Sequence, residues 1–260
     1  MSRIADTFTR LKLAKRTALI PYVVVGHPTR AATPDIVSAL IEAGADIVEL
    51  GVPFSDPLAD GPVIQRATHQ SLLGGTTPRD CLSIAATIRA RHPQTPLLFM
   101  GYYNPILRFG VAAYARVCAE AGIDGLIVPD LPLEESAELL AELGANGRDL
   151  IPLVAPTSDD ARIEGMARQA SGFIYCVSVV GITGARRSLS ADAAALVQRI
   201  RKHSDLPVAI GFGISQAEHV RQVALAADGA VIGSALVDVI AHAPPGQEAE
   251  QAAAYWRGLR

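Results

Sequence analysis

Residues 46–62 read DIVELGVPFSDPLADGP. An apolar run closes on Glu49-Leu50-Gly51, and a proline-rich loop carrying Asp56 and Asp60 follows. A run this apolar is expected to be a buried strand. Its two-residue side-chain period puts Ile47 and Glu49 on one face and Val48 and Leu50 on the other. Glu49 then points into an interior, close to the strand's C-terminal end. A carboxylate there loses hydration, so its pKa rises and it can hold a proton near neutral pH. The loop 53–62 can bring a second carboxylate over the same mouth. The other reading of Glu49 is a structural carboxylate paired to a tyrosine or an arginine.

The same unit recurs on either side. Apolar strands are expected at 18–25, 96–100, 124–128, 150–155, 172–178, 207–210 and 230–232, besides the one carrying Glu49. Helical stretches separate them, among them 33–43, 63–73, 78–91, 111–121, 134–143, 159–170, 191–203 and 216–226, and Thr33-Pro34 has the form of a helix start. An amphipathic helix over 2–16, with Ile4, Phe8 and Leu11 on one side, precedes the first strand. A weak repeat runs through the series: EAGADIV at 42–48, EAGIDGL at 120–126 and AADGAV at 226–231. In the first two copies a glycine ends a helix in the C′ position and an aspartate opens the next strand.

Strict alternation implies a parallel sheet, and eight such units imply an α/β fold of the closed (β/α)8 TIM-barrel type: a single domain over residues 1–260 with an extra N-terminal helix. An open doubly wound sheet is the alternative. It would more naturally carry a G-x-G-x-x-G turn after an early strand, which Val25-Gly26-His27-Pro28 is not.

Bulk properties narrow the function. Half of the 260 residues are hydrophobic and the net charge is −3, which gives no reason to expect a nucleic acid or a membrane surface as partner. Three widely spaced cysteines, Cys81, Cys118 and Cys176, suit a reducing compartment and a cytoplasmic location. No apolar run approaches the roughly 18 residues of a membrane span, and no apolar segment of a secretory signal follows the basic N-terminus.

In barrels of this kind the site lies at the C-terminal strand ends, and the loops after strands seven and eight often hold phosphate. Here those loops are Gly211-Phe212-Gly213-Ile214-Ser215 and Gly233-Ser234. Their glycines allow backbone N–H groups close to an anion; plain tight turns are the other reading. Gly181-Ile182-Thr183-Gly184 after strand six could close over a ligand. Tyr102, Asn104, Asp130 and Tyr175 also fall at strand ends, and Tyr175 shares parity with Phe173, facing the barrel. The only lysines, Lys12, Lys15 and Lys202, fall on expected helices, which argues against a Schiff base. No His/Asp/Glu grouping has metal-ligand spacing. Acid–base chemistry by carboxylates on a phosphorylated, partly apolar substrate remains.

The stretch Glu49 to Pro62 resembles the tryptophan synthase alpha subunit family. The resemblance continues in order through Tyr102-Tyr103-Asn104-Pro105, Asp130-Leu131-Pro132, Ala155-Pro156-Thr157, Gly181 to Ala185, Gly211 to Ser215 and Gly233-Ser234. It implies a lyase of L-tryptophan biosynthesis that cleaves indole-3-glycerol phosphate to indole and glyceraldehyde 3-phosphate. By the same resemblance Glu49 is the proton shuttle and Asp60 accepts the indole N–H. Tyr175 supports the substrate or Glu49. Thr183 falls in the loop expected to close, and Gly184, Gly213, Gly233 and Ser234 hold phosphate. Tyr22, Met100, Ile127, Leu153 and Phe212 line the indole slot.

The resemblance also implies no cofactor on this chain. Pyridoxal phosphate belongs to a beta subunit, on which the alpha subunit docks in an alpha2-beta2 heterotetramer. A stand-alone indole-releasing lyase and a mainly regulatory partner of a beta subunit are the rival readings. His27 departs from the aspartate that the family often carries there. Gly213→Val is expected to weaken binding of the phosphorylated substrate by blocking approach to the backbone. An unchanged dissociation constant places the phosphate elsewhere.

Overall fold

The structure is a computed structural model and describes residues 2–177, 191–211 and 213–260. Its strands are β1 (Ala18–Val24), β2 (Val48–Gly51), β3 (Leu97–Met100), β4 (Gly125–Ile127), β5 (Asp149–Leu150 with Leu153–Val154), β6 (Ile174–Val177), β7 (Val208–Gly211) and β8 (Gly229–Ile232). All pairings are parallel and follow chain order, and β8 returns to β1 with Ala18 opposite Gly229.

The expected strand 150–155 is interrupted at Ile151-Pro152, because proline has no N–H to give to a ladder. Hydrogen bonding nevertheless carries across the gap. The Ile151 N–H donates to Leu126 O at 2.9 Å, and Pro152 O accepts from the Tyr175 N–H at 3.0 Å. The ring of eight strands therefore closes as the (β/α)8 pattern requires.

Alternation sorts the apolar residues into two layers. Ile20, Ile47, Leu98, Ile127, Phe173 and Val231 fill the barrel, whereas Leu19, Val48, Leu50, Phe99 and Ile210 pack outward against the helices. Helix α1 (Arg3–Leu13) stoppers the N-terminal end. Its Ile4, Phe8 and Leu11 join the inner layer, and the Phe8 ring lies 5.6 Å from Phe173.

Three further helices position the site: α2 (Ala32–Glu42), α3 (Pro62–Leu73) and α4 (Pro78–Arg91). Thr33 is not the cap of α2 but stands inside its first turn. Its Oγ1 accepts the Gly26 N–H at 3.0 Å and ties the helix to the end of β1. Helix α5 (Tyr103–Phe109) arises where the sequence suggested only a strand-end segment. Asp130 Oδ1 accepts the Tyr103 N–H at 2.9 Å, so the helix start is held by a residue from the next strand end.

Helix α6 (Val111–Glu120) follows. The expected helix 134–143 divides into a 3₁₀ turn (Leu133–Glu135) and α7 (Ala137–Ala145), with Ser136 Oγ bonded back to Leu133 O at 2.7 Å. The rest of the ring is α8 (Asp160–Gln169), α9 (Ala191–Arg201), α10 (Ala217–Ala226), α11 (Ser234–His242) and α12 (Glu248–Arg257).

The repeated aspartate has a structural account. Asp46 Oδ2 accepts the Leu19 N–H at 3.1 Å, Asp124 Oδ2 the Leu97 N–H at 2.9 Å, and Asp228 Oδ2 the Val208 N–H at 2.9 Å. Each satisfies an N–H at the start of a neighbouring strand, on the face opposite the expected site. Asp124 is the most enclosed, with Arg89 at 2.6 Å, Arg3 at 2.8 Å and Arg148 at 3.6 Å. Removing one partner of a buried charge network leaves the other uncompensated. Asp124→Ala is therefore expected to cost about 3 kcal/mol in equilibrium urea unfolding. A loss below about 1 kcal/mol, the size of a surface pair, would show that the network is peripheral.

Candidate active site

Glu49 occupies the position that strand parity assigns. It is 1% exposed inside the barrel, with Tyr22 its register partner on β1 and Leu98 on β3. Among the described residues neither carboxylate oxygen has a hydrogen-bond partner. Burial, reinforced by the negative charge of Asp60, pushes its pKa up from 4.5 to about 8. Among the described residues no tyrosine or arginine pairs with it, the other arrangement considered from the sequence.

Asp60 reaches the same mouth from the β2–α3 loop. The Tyr102 hydroxyl donates to Asp60 Oδ2 at 3.0 Å and accepts the Ala59 N–H at 3.0 Å. The loop also bonds to itself, Asp60 N–H to Pro57 O at 3.0 Å, and is braced by the Gln65 amide on Asp60 O at 2.9 Å. Burial raises the Asp60 pKa, and the Tyr102 hydrogen bond pulls it back down. Sequence reasoning placed Tyr102 at a strand end without a role. Its contact with Asp60 spans 42 positions, and no local pattern signals it.

Tyr22 and Tyr175 complete the inner wall. Both are buried, and both phenols are pushed up first by burial and then by the surrounding carboxylates, Asp60 and Glu49 for Tyr22 and chiefly Glu49 for Tyr175. Each ring lies across a strand-end glycine. A Cβ at Gly51 would come within 2.1 Å of the Tyr22 hydroxyl, and one at Gly211 within 2.0 Å of the Tyr175 hydroxyl. Any side chain at either position would evict a ring from the site.

Met100 and Leu153, half-buried, and Ile127, fully buried, add apolar wall. Gly233 precedes the first residue of α11, and among the described residues a Cβ there would meet nothing nearer than Tyr22 at 3.7 Å. Ser234, exposed, opens that helix, whose N-terminal N–H groups are a ready anion site. Gly213 has φ +75°, a conformation that glycine adopts without strain. Thr183, Gly184 and Phe212 lie outside the described residues. His27, buried at the end of β1, is not among the groups gathered around the two carboxylates. Among the described residues no group of His, Cys, Asp and Glu could hold a metal ion, and no helix is long and apolar enough to cross a membrane.

The sequence matches the family model described as tryptophan synthase alpha chain over residues 8–257. The chain belongs to the tryptophan synthase alpha chain family. Its relatives include the tryptophan synthase alpha chain of Roseiflexus castenholzii, 52% identical over the whole of both chains, and that of Chloroflexus aurantiacus, 51% identical over all of this chain and 97% of the other. Among solved structures, the tryptophan synthase subunit alpha of Legionella pneumophila is 34% identical and superposes with a TM-score of 0.92, covering 100% of this chain and 97% of that one. A chain of tryptophan synthase from M. tuberculosis, in an aminoacrylate-bound form, is 37% identical with a TM-score of 0.89 over the whole of both chains.

The unpaired burial of Glu49 has a cost that depends on pH. Its folded pKa of about 8 lies above the ordinary 4.5, so the folded state holds a proton that the unfolded chain releases. That contribution is neutral below 4.5 and increasingly destabilising as pH rises through about 8. Glu49→Gln removes it. Thermal melts should show the variant melting progressively higher than the parent between pH 5 and pH 8; parallel curves across that range would mean that Glu49 is not desolvated.

Proposed function

We propose that this chain is a lyase that cleaves indole-3-glycerol phosphate to indole and glyceraldehyde 3-phosphate, as the alpha chain of tryptophan synthase in L-tryptophan biosynthesis. The observation that carries the reading is the juxtaposition of Glu49, buried and unpaired, with Asp60, held by Tyr102 at the same mouth. In this reading residues 1–260 act as one catalytic domain. The substrate's phosphate sits over Gly213, Gly233 and Ser234, with Thr183 and Gly184 closing on it. The indole ring lies between Tyr22, Met100, Tyr175 and Phe212.

The roles follow from the two environments. Glu49 keeps its proton near neutral pH and gives it to indole C3, which turns the ring into an iminium-like electron acceptor. The anionic Asp60 accepts the indole N–H and stabilises the positive charge developing there. Glu49, now a carboxylate, takes the proton of the glycerol hydroxyl on the carbon attached to the ring. The O–H electron pair becomes the aldehyde C=O, and the carbon–carbon pair returns to the ring and restores its aromaticity. One proton is lent and one recovered, so the chain needs no metal or organic cofactor of its own.

The partner in this reading is a beta subunit carrying pyridoxal phosphate, in an alpha2-beta2 heterotetramer. Leu58 (93% exposed) and Leu107 (56% exposed) are apolar side chains on the two segments that would face it, the 53–62 loop and α5. Three free, buried cysteines suit a cytoplasmic setting.

The test is indole release from indole-3-glycerol phosphate by the purified chain in EDTA, alone and with a beta subunit. Native protein should release indole, faster with the partner, in a bell-shaped pH profile. The alkaline limb reflects deprotonation of Glu49 near pH 8, and the acid limb protonation of Asp60. Glu49→Gln should lower kcat by at least a thousandfold with little change in substrate affinity. Near-normal turnover in that variant would remove Glu49 from the mechanism.

A further inference from the structure

A cavity of about 490 Å³ lies beside the barrel mouth, between the interrupted strand β5 and helix α8. That volume is in the range of small-molecule sites. Its apolar lining includes Leu131, Leu150, Met166 and Ala170, and also Leu153 of the active-site wall. One polar edge is Ser136, whose buried Oγ lies 3.1 Å from the Gln169 amide oxygen. The two charged residues of the lining, Asp130 and Arg162, are of opposite sign and already engaged: Asp130 holds the Tyr103 N–H at 2.9 Å, and Arg162 pairs with Glu134 at 3.2 Å. A charged occupant would compete with one of these contacts for its partner. A neutral one breaks neither.

The cavity wall is also joined to the active site at two points. Pro152, in the wall, accepts the N–H of Tyr175 at 3.0 Å at the place where β5 lacks its regular ladder. Asp130 fixes the first residue of α5, next to the tyrosine that holds Asp60. We propose that this cavity is an effector site for a compact, neutral aromatic molecule with one hydrogen-bond donor for the Ser136–Gln169 edge. Its occupancy reaches the active site through Pro152 and Asp130. The geometry, not the reaction assigned to the chain, is the basis of this proposal, and neither readout below requires turnover.

The probe is N-phenyl-1-naphthylamine, neutral, apolar, carrying one N–H and bright only out of water. Titration into the full chain should give saturable one-to-one fluorescence. Ala170→Phe and Met166→Trp, which fill the cavity, should weaken the probe at least tenfold, whereas Glu49→Gln should leave it unchanged. On the native chain, hydrogen exchange should slow with probe in α8 and around residues 150–153, and severalfold at the Tyr175 amide. Equal binding by both filled variants, or protection absent from α8, would overturn the site. Protection of α8 with unchanged exchange at Tyr175 would overturn its transmission to the active site.

Discussion

A closed parallel barrel has one interior, and every strand must give alternate residues to it. The whole arrangement depends on this constraint. The interior of this barrel is apolar where Ile20, Ile47, Leu98 and Phe173 meet, and α1 stoppers its far end. A polar side chain on the inner face can therefore exist only near the open mouth. Glu49 stands at that limit. It lies deep enough to lose its water, and among the described residues its oxygens have no hydrogen-bond partner. Its raised pKa follows from its place in the barrel rather than from any special neighbour, with Asp60 adding a smaller push in the same direction.

The two ends of the barrel divide stability from chemistry. At the N-terminal end, Asp46, Asp124 and Asp228 each satisfy an N–H at the start of a strand, with arginines close by to neutralise them. Charge there is fully matched, and the repeat in the sequence is the trace of that one device used three times. At the C-terminal end the matching is withheld. Among the described residues Glu49 is left unpaired, Asp60 has a phenol and no cation, and Tyr22 and Tyr175 crowd over glycines that leave them room. Burial raises the pKa of both carboxylates, and the charge of Asp60 adds to the rise at Glu49. A carboxyl group desolvated in this way keeps its proton near neutral pH.

The interrupted strand β5 shows how a local break can be absorbed. Proline at 152 removes a donor, but its carbonyl still holds Tyr175, and Ile151 still bonds β4. The barrel stays closed while a cavity opens behind the gap. Strand parity survives as well, because Leu153 remains opposite Tyr175.

Much of this was legible in the residues alone. Apolar runs alternating with helical periods gave the strand order, since parallel pairing of consecutive strands is the simplest way to bury them. The inward direction of Glu49 followed from the two-residue period, and the aspartate at the strand start was visible as a repeat. The long motif at 49–62 carried the family. What only the tertiary structure decided are contacts between distant positions: Tyr102 on Asp60, Asp130 on the start of α5, Thr33 on Gly26, and Tyr22 over Gly51. The physical reason is common to all four. Propensity and periodicity report on neighbours within a few residues, whereas these hydrogen bonds and close approaches exist only once separate strand ends have been brought around one mouth. So does the desolvation of Glu49, the fact from which its raised pKa follows.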